Sequence, residues 1–305
     1  MQAIARAGVE FHGSAMRYAE IEEVNREFRL LRLGDCQFEF DAFEVLFKKG
    51  PDAFLDTISE AITEVLQGSA AKDFRIAIHP PVAKTFLSSV PSTASPSLRD
   101  EQLIFESAVL DIDRDVSALR SNELAAQSTA ESVDTGDAHR RVHVSHVATD
   151  VSAKLEKVFT RAGWPDFEII SSSEAVAKLT RRLAEVQPDK NAPLMSVGIF
   201  ADRSVYTIVK NGEWLYDHVR PENDPTDVAY FAMQAMAAAG ISVTDLSMIS
   251  HYGSEDLYSA SGTLNSVFKV PVQVMNPIET VGLRGNAFEK DFAQTAFTVC
   301  IGSAF

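Results

Sequence analysis

The stretch that decides the fold is Met195–Val219, MSVGIFADRSVYTIVKNGEWLYDHV. An apolar run leads to a polar turn at Ala201-Asp202-Arg203-Ser204, then a second run, a turn at Asn211-Gly212, and a third run. Val, Ile, Tyr, Phe and Trp fill the runs, and Asn-Gly is a strong short hairpin signal because both residues tolerate positive φ. The pattern predicts three antiparallel strands.

The same pattern occurs near the start of the chain. Gly8–Phe11 reads as a strand, His12-Gly13-Ser14 as a turn and Met16–Glu22 as an alternating strand. A polar turn at Glu23–Glu27 and an extended segment Phe28–Phe40 complete the block. Two such blocks so far apart indicate internal duplication rather than a short-period repeat.

The order after each block is also similar. In the first half, Phe43–Gln67 has helical spacing with a start near Pro51-Asp52, and Phe74–Ile78 is a compact apolar strand stopped by Pro80-Pro81. Residues 88–100 are rich in Ser and Pro and read as a loop. Asp100–Val109 is amphipathic, and 111–141 is polar and reads as a mobile insertion or small subdomain. Val142–Val147 and Phe167–Ile170 predict strands; Val151–Ala162, stopped by Gly163, and Ser173–Val186 predict helices. In the second half, a helix is expected over Asp224–Ala239 with Pro225 at its start, then a strand Leu246–Ser250, a helix Glu255–Phe268 and a strand Val270–Met275. A buried C-terminal helix is expected over 287–302. The fold class implied is α/β, with lobes at 1–190 and 191–305, an inserted subdomain at about 88–150, and the last helix packing back on the first lobe.

The chain has 305 residues, with 28 Lys and Arg against 43 Asp and Glu, for a formal charge of −15. That balance argues against nucleic-acid or anionic-lipid contact, which needs a basic surface. No apolar run reaches the roughly 20 residues of a membrane span, so membrane association is expected only through a protein partner. Cys36 and Cys300 lie in apolar runs and read as buried thiols of a reducing compartment. A cytoplasmic location follows as the expectation.

The duplicated order resembles the actin-like ATPase fold of sugar kinases, heat-shock chaperones and actin, a two-lobe, ribonuclease H-like arrangement of mixed sheets flanked by helices. Within it the chain is similar to the PilM-like proteins of type IV pilus assembly. Gly8–Arg17, GVEFHGSAMR, resembles their first phosphate motif. Phe74–Pro91 resembles their strand leading into the inserted subdomain, and Asp100–Leu110 the following helix, with Glu106 at a recurrent Glu. Val142–Leu179 resembles the next strand–helix module, here with Ala162-Gly163-Trp164. Met195–Val209 sits at the second phosphate motif and Met248–Gly253 at the adenosine motif.

The resemblance implies a nucleotide cleft lined by Glu10, Gly13, Ser14, Arg17, Asp202, Ser204, Tyr252 and Gly253. In it Glu10 would hold Mg²⁺ through water and Arg17 would contact phosphate. The motifs depart from that chemistry. His12 replaces a glycine of the first turn. In the second, Gly198 and Phe200 stand where an acid and a glycine are needed, and Asp202 adds a charge that repels phosphate if it faces the cleft. His251-Tyr252 precedes a lone Gly253 where relatives carry a Gly-Gly pair. The reading is a pseudo-ATPase: a non-catalytic scaffold without cofactor. It would dock a cytoplasmic segment of an inner-membrane protein in a pilus or type II secretion assembly, peripheral to the membrane and with oligomers allowed. The alternatives are a working ATPase with divergent motifs, binding ATP and Mg²⁺, and an actin-like filament former.

Other constellations read as background. His143 and His146 would point to opposite faces of a strand, which prevents joint chelation, and are expected at a solvent edge. Ser88-Ser89 and Ser171–Ser173 lack the G-x-S-x-G pattern of a hydrolase nucleophile. Asp111–Asp115 lacks the glycine and terminal glutamate of a calcium loop.

Overall fold

The computed structural model describes residues 4–25, 27–48, 52–110, 116–123, 139–221, 224, 226–253, 257–280 and 294–305. Three strands form the opening meander: β1 (Ile4–His12), β2 (Ala15–Val24) and β3 (Glu27–Gln37). Helices α1 (Ala42–Phe47) and α2 (Leu55–Leu66) follow, then β4 (Asp73–Ile78) parallel to β1. The helical segment expected over 43–67 is thus two helices. Asp41 starts the first, its side chain accepting from the Glu44 N–H. Pro51 lies outside the described residues.

The chain then leaves the sheet through β5 (Lys84–Pro91), α3 (Pro96–Leu110), β6 (Val116–Glu123) and β7 (His139–Ala148). These strands form a separate sheet in the order β5-β7-β6. Here the sequence reading is corrected in part: only 92–95 is a turn, and the rest of 88–100 is the end of a strand and the start of a helix. Phe86, Ser88 and Val90 alternate toward α3, and Pro96 sits at the first helical position, where its missing N–H costs nothing. Part of 111–141 is a paired strand, β6; residues 111–115 and 124–138 lie outside the described residues. The chain returns through α4 (Thr149–Arg161), β8 (Glu168–Ser171), parallel to β4, and α5 (Ser172–Glu185).

The second half repeats the plan. It comprises β9 (Leu194–Ile199), β10 (Arg203–Lys210), β11 (Glu213–Pro221), α6 (Val228–Ala238), β12 (Met248–Gly253), α7 (Leu257–Val267), β13 (Val272–Val274), α8 (Pro277–Thr280) and α9 (Thr298–Ala304). The first sheet runs β3-β2-β1-β4-β8 and the second β11-β10-β9-β12-β13. Each is an antiparallel meander continued by two parallel strands, so the duplication read from the hairpins extends to the whole sheet. The turn at Asn211-Gly212 has φ +54° and +70°, as a two-residue hairpin demands. The expected α6 start at Pro225 and α9 residues 287–293 fall outside the described residues; the described part of the last helix begins at Thr298.

The layers explain how the sheets meet. Helices α1, α2 and α4 cover the outer face of the first sheet, and α6 and α7 that of the second. Between the sheets lie α5 and α9, packed on Ala19, Ile21 and Ala77 from one side and Phe200, Val205 and Tyr252 from the other. Helix α9 sits so close to β1 that a Cβ on Gly8 would stand 2.0 Å from the Cys300 carbonyl oxygen. Cys300 is buried as expected, whereas Cys36, on β3, is only half-buried.

Candidate functional site

The tips of β1, β4, β9 and β12 converge between the lobes, where an actin-like protein would hold its ligand. Glu10, near the end of β1, is 1% exposed. Its Oε1 accepts from Nε2 of the equally buried His79 at 2.8 Å, and Arg17 Nη1 on the paired strand lies 3.8 Å away. Burial pushes the Glu10 carboxyl up, but the His79 hydrogen bond and the nearby Arg17 outweigh it and hold the group below its ordinary range. His79 is itself held below its ordinary range by burial, so a neutral imidazole donates to a carboxylate. Of the carboxylate offered by the resemblance as a metal-holding group, Oε1 is engaged with protein groups, while Oε2 is buried without a hydrogen-bond partner among the described residues.

Phe200 fills the space above this pair. Its ring centroid is 5.0 Å from His12, 5.3 Å from His79 and 6.0 Å from Tyr252. Tyr252 is buried, and burial pushes its phenol up. Gly198 makes room for that ring: a Cβ there would stand 2.6 Å from the Tyr252 hydroxyl. An acid at 198 would therefore require the Tyr252 ring to shift. The cavity left among Glu10, Arg17, Phe200, Tyr252, Gly253 and residues 295–299 measures about 10 Å³. That is the room of one water molecule, against several hundred Å³ for a small-molecule site.

The structure brings Glu10, Arg17, Tyr252 and Gly253 to one point. Gly13 and Ser14 form the β1–β2 turn, but their carbonyl oxygens accept from Phe43 and Phe38, which ties the turn to α1 and β3. Asp202 points outward, 65% exposed at its side chain, and is held by two hydrogen bonds from Arg203. Ser204 donates to the Tyr206 hydroxyl inside the second lobe. His79 was missed by the sequence reading. The signal was present: a histidine at the end of an apolar strand, directly before two prolines.

A second cleft opens elsewhere, between β5 of the inserted sheet and β11 of the second lobe. It encloses about 600 Å³, lined by Pro80, Pro81, Phe86, Leu87, Leu110, Tyr216 and Val219, with Lys84 among its polar walls. Both bordering strands are sheet ends. At the floor, Thr85 Oγ1 donates to Asp217 Oδ2 at 2.5 Å, and His143 Nε2 lies 3.1 Å from Asp217 Oδ1. Burial raises the Asp217 carboxyl, but His143, Thr85 and Ser173 outweigh it and hold the group below its ordinary range. His143 stacks on Trp214 at 3.4 Å, whereas His146 packs against Phe86 on the opposite face. The two histidines do face apart, but both are buried rather than at a solvent edge. Among the described residues, no group of three or more His, Cys, Asp or Glu is arranged to hold a metal ion.

No family model and no curated protein sequence matches the chain. Solved structures do. A chain of the PilM-PilN type IV pilus biogenesis complex is 18% identical, with 98% of this chain and 97% of that one covered at a TM-score of 0.70. The fold is actin-like. A Bacteroides thetaiotaomicron protein described as having an actin-like ATPase fold and unknown function agrees at 10% identity, with coverages of 92% and 96% and a TM-score of 0.54. Among the described residues, no helix is long and apolar enough to cross a membrane.

Proposed function

We propose that the chain is a non-catalytic actin-like scaffold that docks a segment of a membrane-associated protein partner in a pilus- or secretion-type envelope assembly. One observation carries the non-catalytic reading: the interlobe cleft is shut by the protein's own Phe200, Tyr252 and His12, leaving about 10 Å³. A nucleotide would need these side chains to move aside, and Glu10 Oε1 is already paired with His79 and Arg17, which supports this reading. The outer cleft, by contrast, is large enough for several side chains of a peptide, and the edge strands β5 and β11 that border it suit an extended segment that adds backbone hydrogen bonds. The likeness to a chain of the PilM-PilN complex supports a protein partner in such a setting.

Isothermal titration of the full chain with Mg-ATP tests the first half, and no binding at millimolar nucleotide is expected. Micromolar binding that Glu10→Ala abolishes would establish the ATPase alternative instead. Co-purification from membranes tests the second half. A bitopic inner-membrane protein is expected to travel with the tagged chain and to be lost when Leu87 in the outer cleft is changed to Glu.

A further inference from the structure

Helix α3 has two apolar faces, and only one is used. Leu103 and Ser107 are buried against the inserted sheet with Val90, Val142 and Val144. On the opposite side, at helical spacing, Leu98, Phe105 and Val109 are 60%, 68% and 52% exposed. A surface helix of a monomer needs one apolar stripe, so a second one aimed at solvent marks a contact surface. The charges around it select among occupants. Glu101 and Glu106 lie on the two flanks, and the only other charged groups of the helix, Arg99 and Asp100, pair with each other. A second copy of the chain would set these carboxylates against their own kind in a molecule of charge −15. An anionic bilayer would be repelled for the same reason.

We infer that the outer face of α3 binds an amphipathic partner helix whose apolar stripe is flanked by lysines or arginines. Phe105 is the central anchor, and Glu101 and Glu106 set the charge preference. The geometry is that of a helix pair with an apolar seam and charged flanks. The helix also lends Leu110 to the outer cleft, but the stripe of Leu98, Phe105 and Val109 is not part of that cleft's lining.

The probe is a fluorescein-labelled synthetic amphipathic peptide with leucines on one face and lysines on both flanks. Its twin carries glutamates instead. Anisotropy titrations with the full chain are expected to show micromolar binding of the lysine peptide only. Phe105→Glu, or Phe105→Gln if the first variant misfolds, is expected to weaken that binding at least about tenfold with an unchanged melting temperature. Combining Glu101→Lys with Glu106→Lys is expected to transfer the preference to the glutamate peptide. Lysine-peptide binding indifferent to both sets of variants overturns the inference. So does self-association by light scattering that Phe105→Glu abolishes, or flotation of the chain with phosphatidylglycerol vesicles.

Discussion

The two clefts are built from the same parts and end differently. Each has a buried carboxylate beside a buried histidine, Glu10 with His79 at 2.8 Å and Asp217 with His143 at 3.1 Å. Each histidine also packs on an aromatic ring. Between the lobes that ring belongs to Phe200, which stands in the cleft itself and fills it. In the outer cleft it belongs to Trp214, which is buried and outside the lining, so the space above stays open. The position of one aromatic residue relative to the polar pair thus decides whether a cleft becomes core or remains a surface. In the first, the polar groups are mutual partners beneath a ring.

Removing the plug is the most severe way to break this comparison. Phe200→Ala deletes a buried ring that touches His12, His79, Tyr252 and Arg203. An expected loss of about 3–5 kcal/mol, read from urea unfolding, follows for a truncated core phenylalanine. A loss below about 1 kcal/mol would mean that the lobes are not held together by this ring. Mg-ATP is expected to remain unbound by the variant, because the Glu10 pair and Tyr252 are still in place.

Acid sharpens the contrast next. Burial, with His79 nearby, lowers the His12 pKa from its ordinary 6.5 to about 4. The unfolded chain therefore takes up a proton at His12 over the window from 6.5 down to about 4 while the folded chain does not. Stability falls as the pH is lowered through that window, by about 3 kcal/mol at most. Glu10 acts in a lower window: its depressed carboxyl stabilises the fold above the ordinary carboxylate range, and that contribution is lost as pH falls through its folded pKa. Urea midpoints measured across pH 4–7 are expected to flatten in His12→Asn. An unchanged slope would remove His12 from the account.

At the outer cleft the corresponding cut is smaller. Thr85→Val keeps the shape and deletes one hydrogen bond to the buried Asp217. A hydrogen bond to a charged group contributes about 1.5–3 kcal/mol, so an unfolding cost in that range is expected. His143 and Ser173 remain on the carboxylate. A neutral result would show that water replaces the hydroxyl and that the inserted sheet is not latched to the second lobe at this point.

Much of the interlobe cleft was legible because its motifs are local. The hairpins at 8–22 and 195–219 announced the sheets, and Gly198 and Phe200 marked, within three residues, where a small residue and an aromatic ring meet in that cleft. The outer cleft was not legible, because Thr85, His143 and Asp217 come from three distant parts of the chain and meet only through tertiary packing. Serine and proline content concealed β5 and the start of α3, since composition reports average preference and not the alternation of Phe86, Ser88 and Val90 that pairs with β7. The buried state of His143 was hidden for a related reason. Strand period correctly opposed it to His146, but period alone cannot say that both faces of a small sheet are covered.

The mildest substitution separates packing from docking most cleanly. Leu87 lines the outer cleft and is itself 36% exposed, on the edge strand β5. A glutamate there meets solvent and leaves the Thr85–Asp217 floor intact, so the change in stability is expected to stay within about 0.5 kcal/mol. The same charge placed in a largely apolar cleft is costly once a partner removes the water, because burial strips the carboxylate of its hydration. Partner binding is therefore expected to fall by at least about tenfold, equivalent to about 1.4 kcal/mol, at constant melting temperature. Phe200→Ala is expected to do the reverse, lowering stability while leaving the outer cleft's affinity unchanged under conditions where the chain is folded. Losing both properties together in the Leu87 variant would mean that the outer cleft, like the interlobe one, belongs to the core.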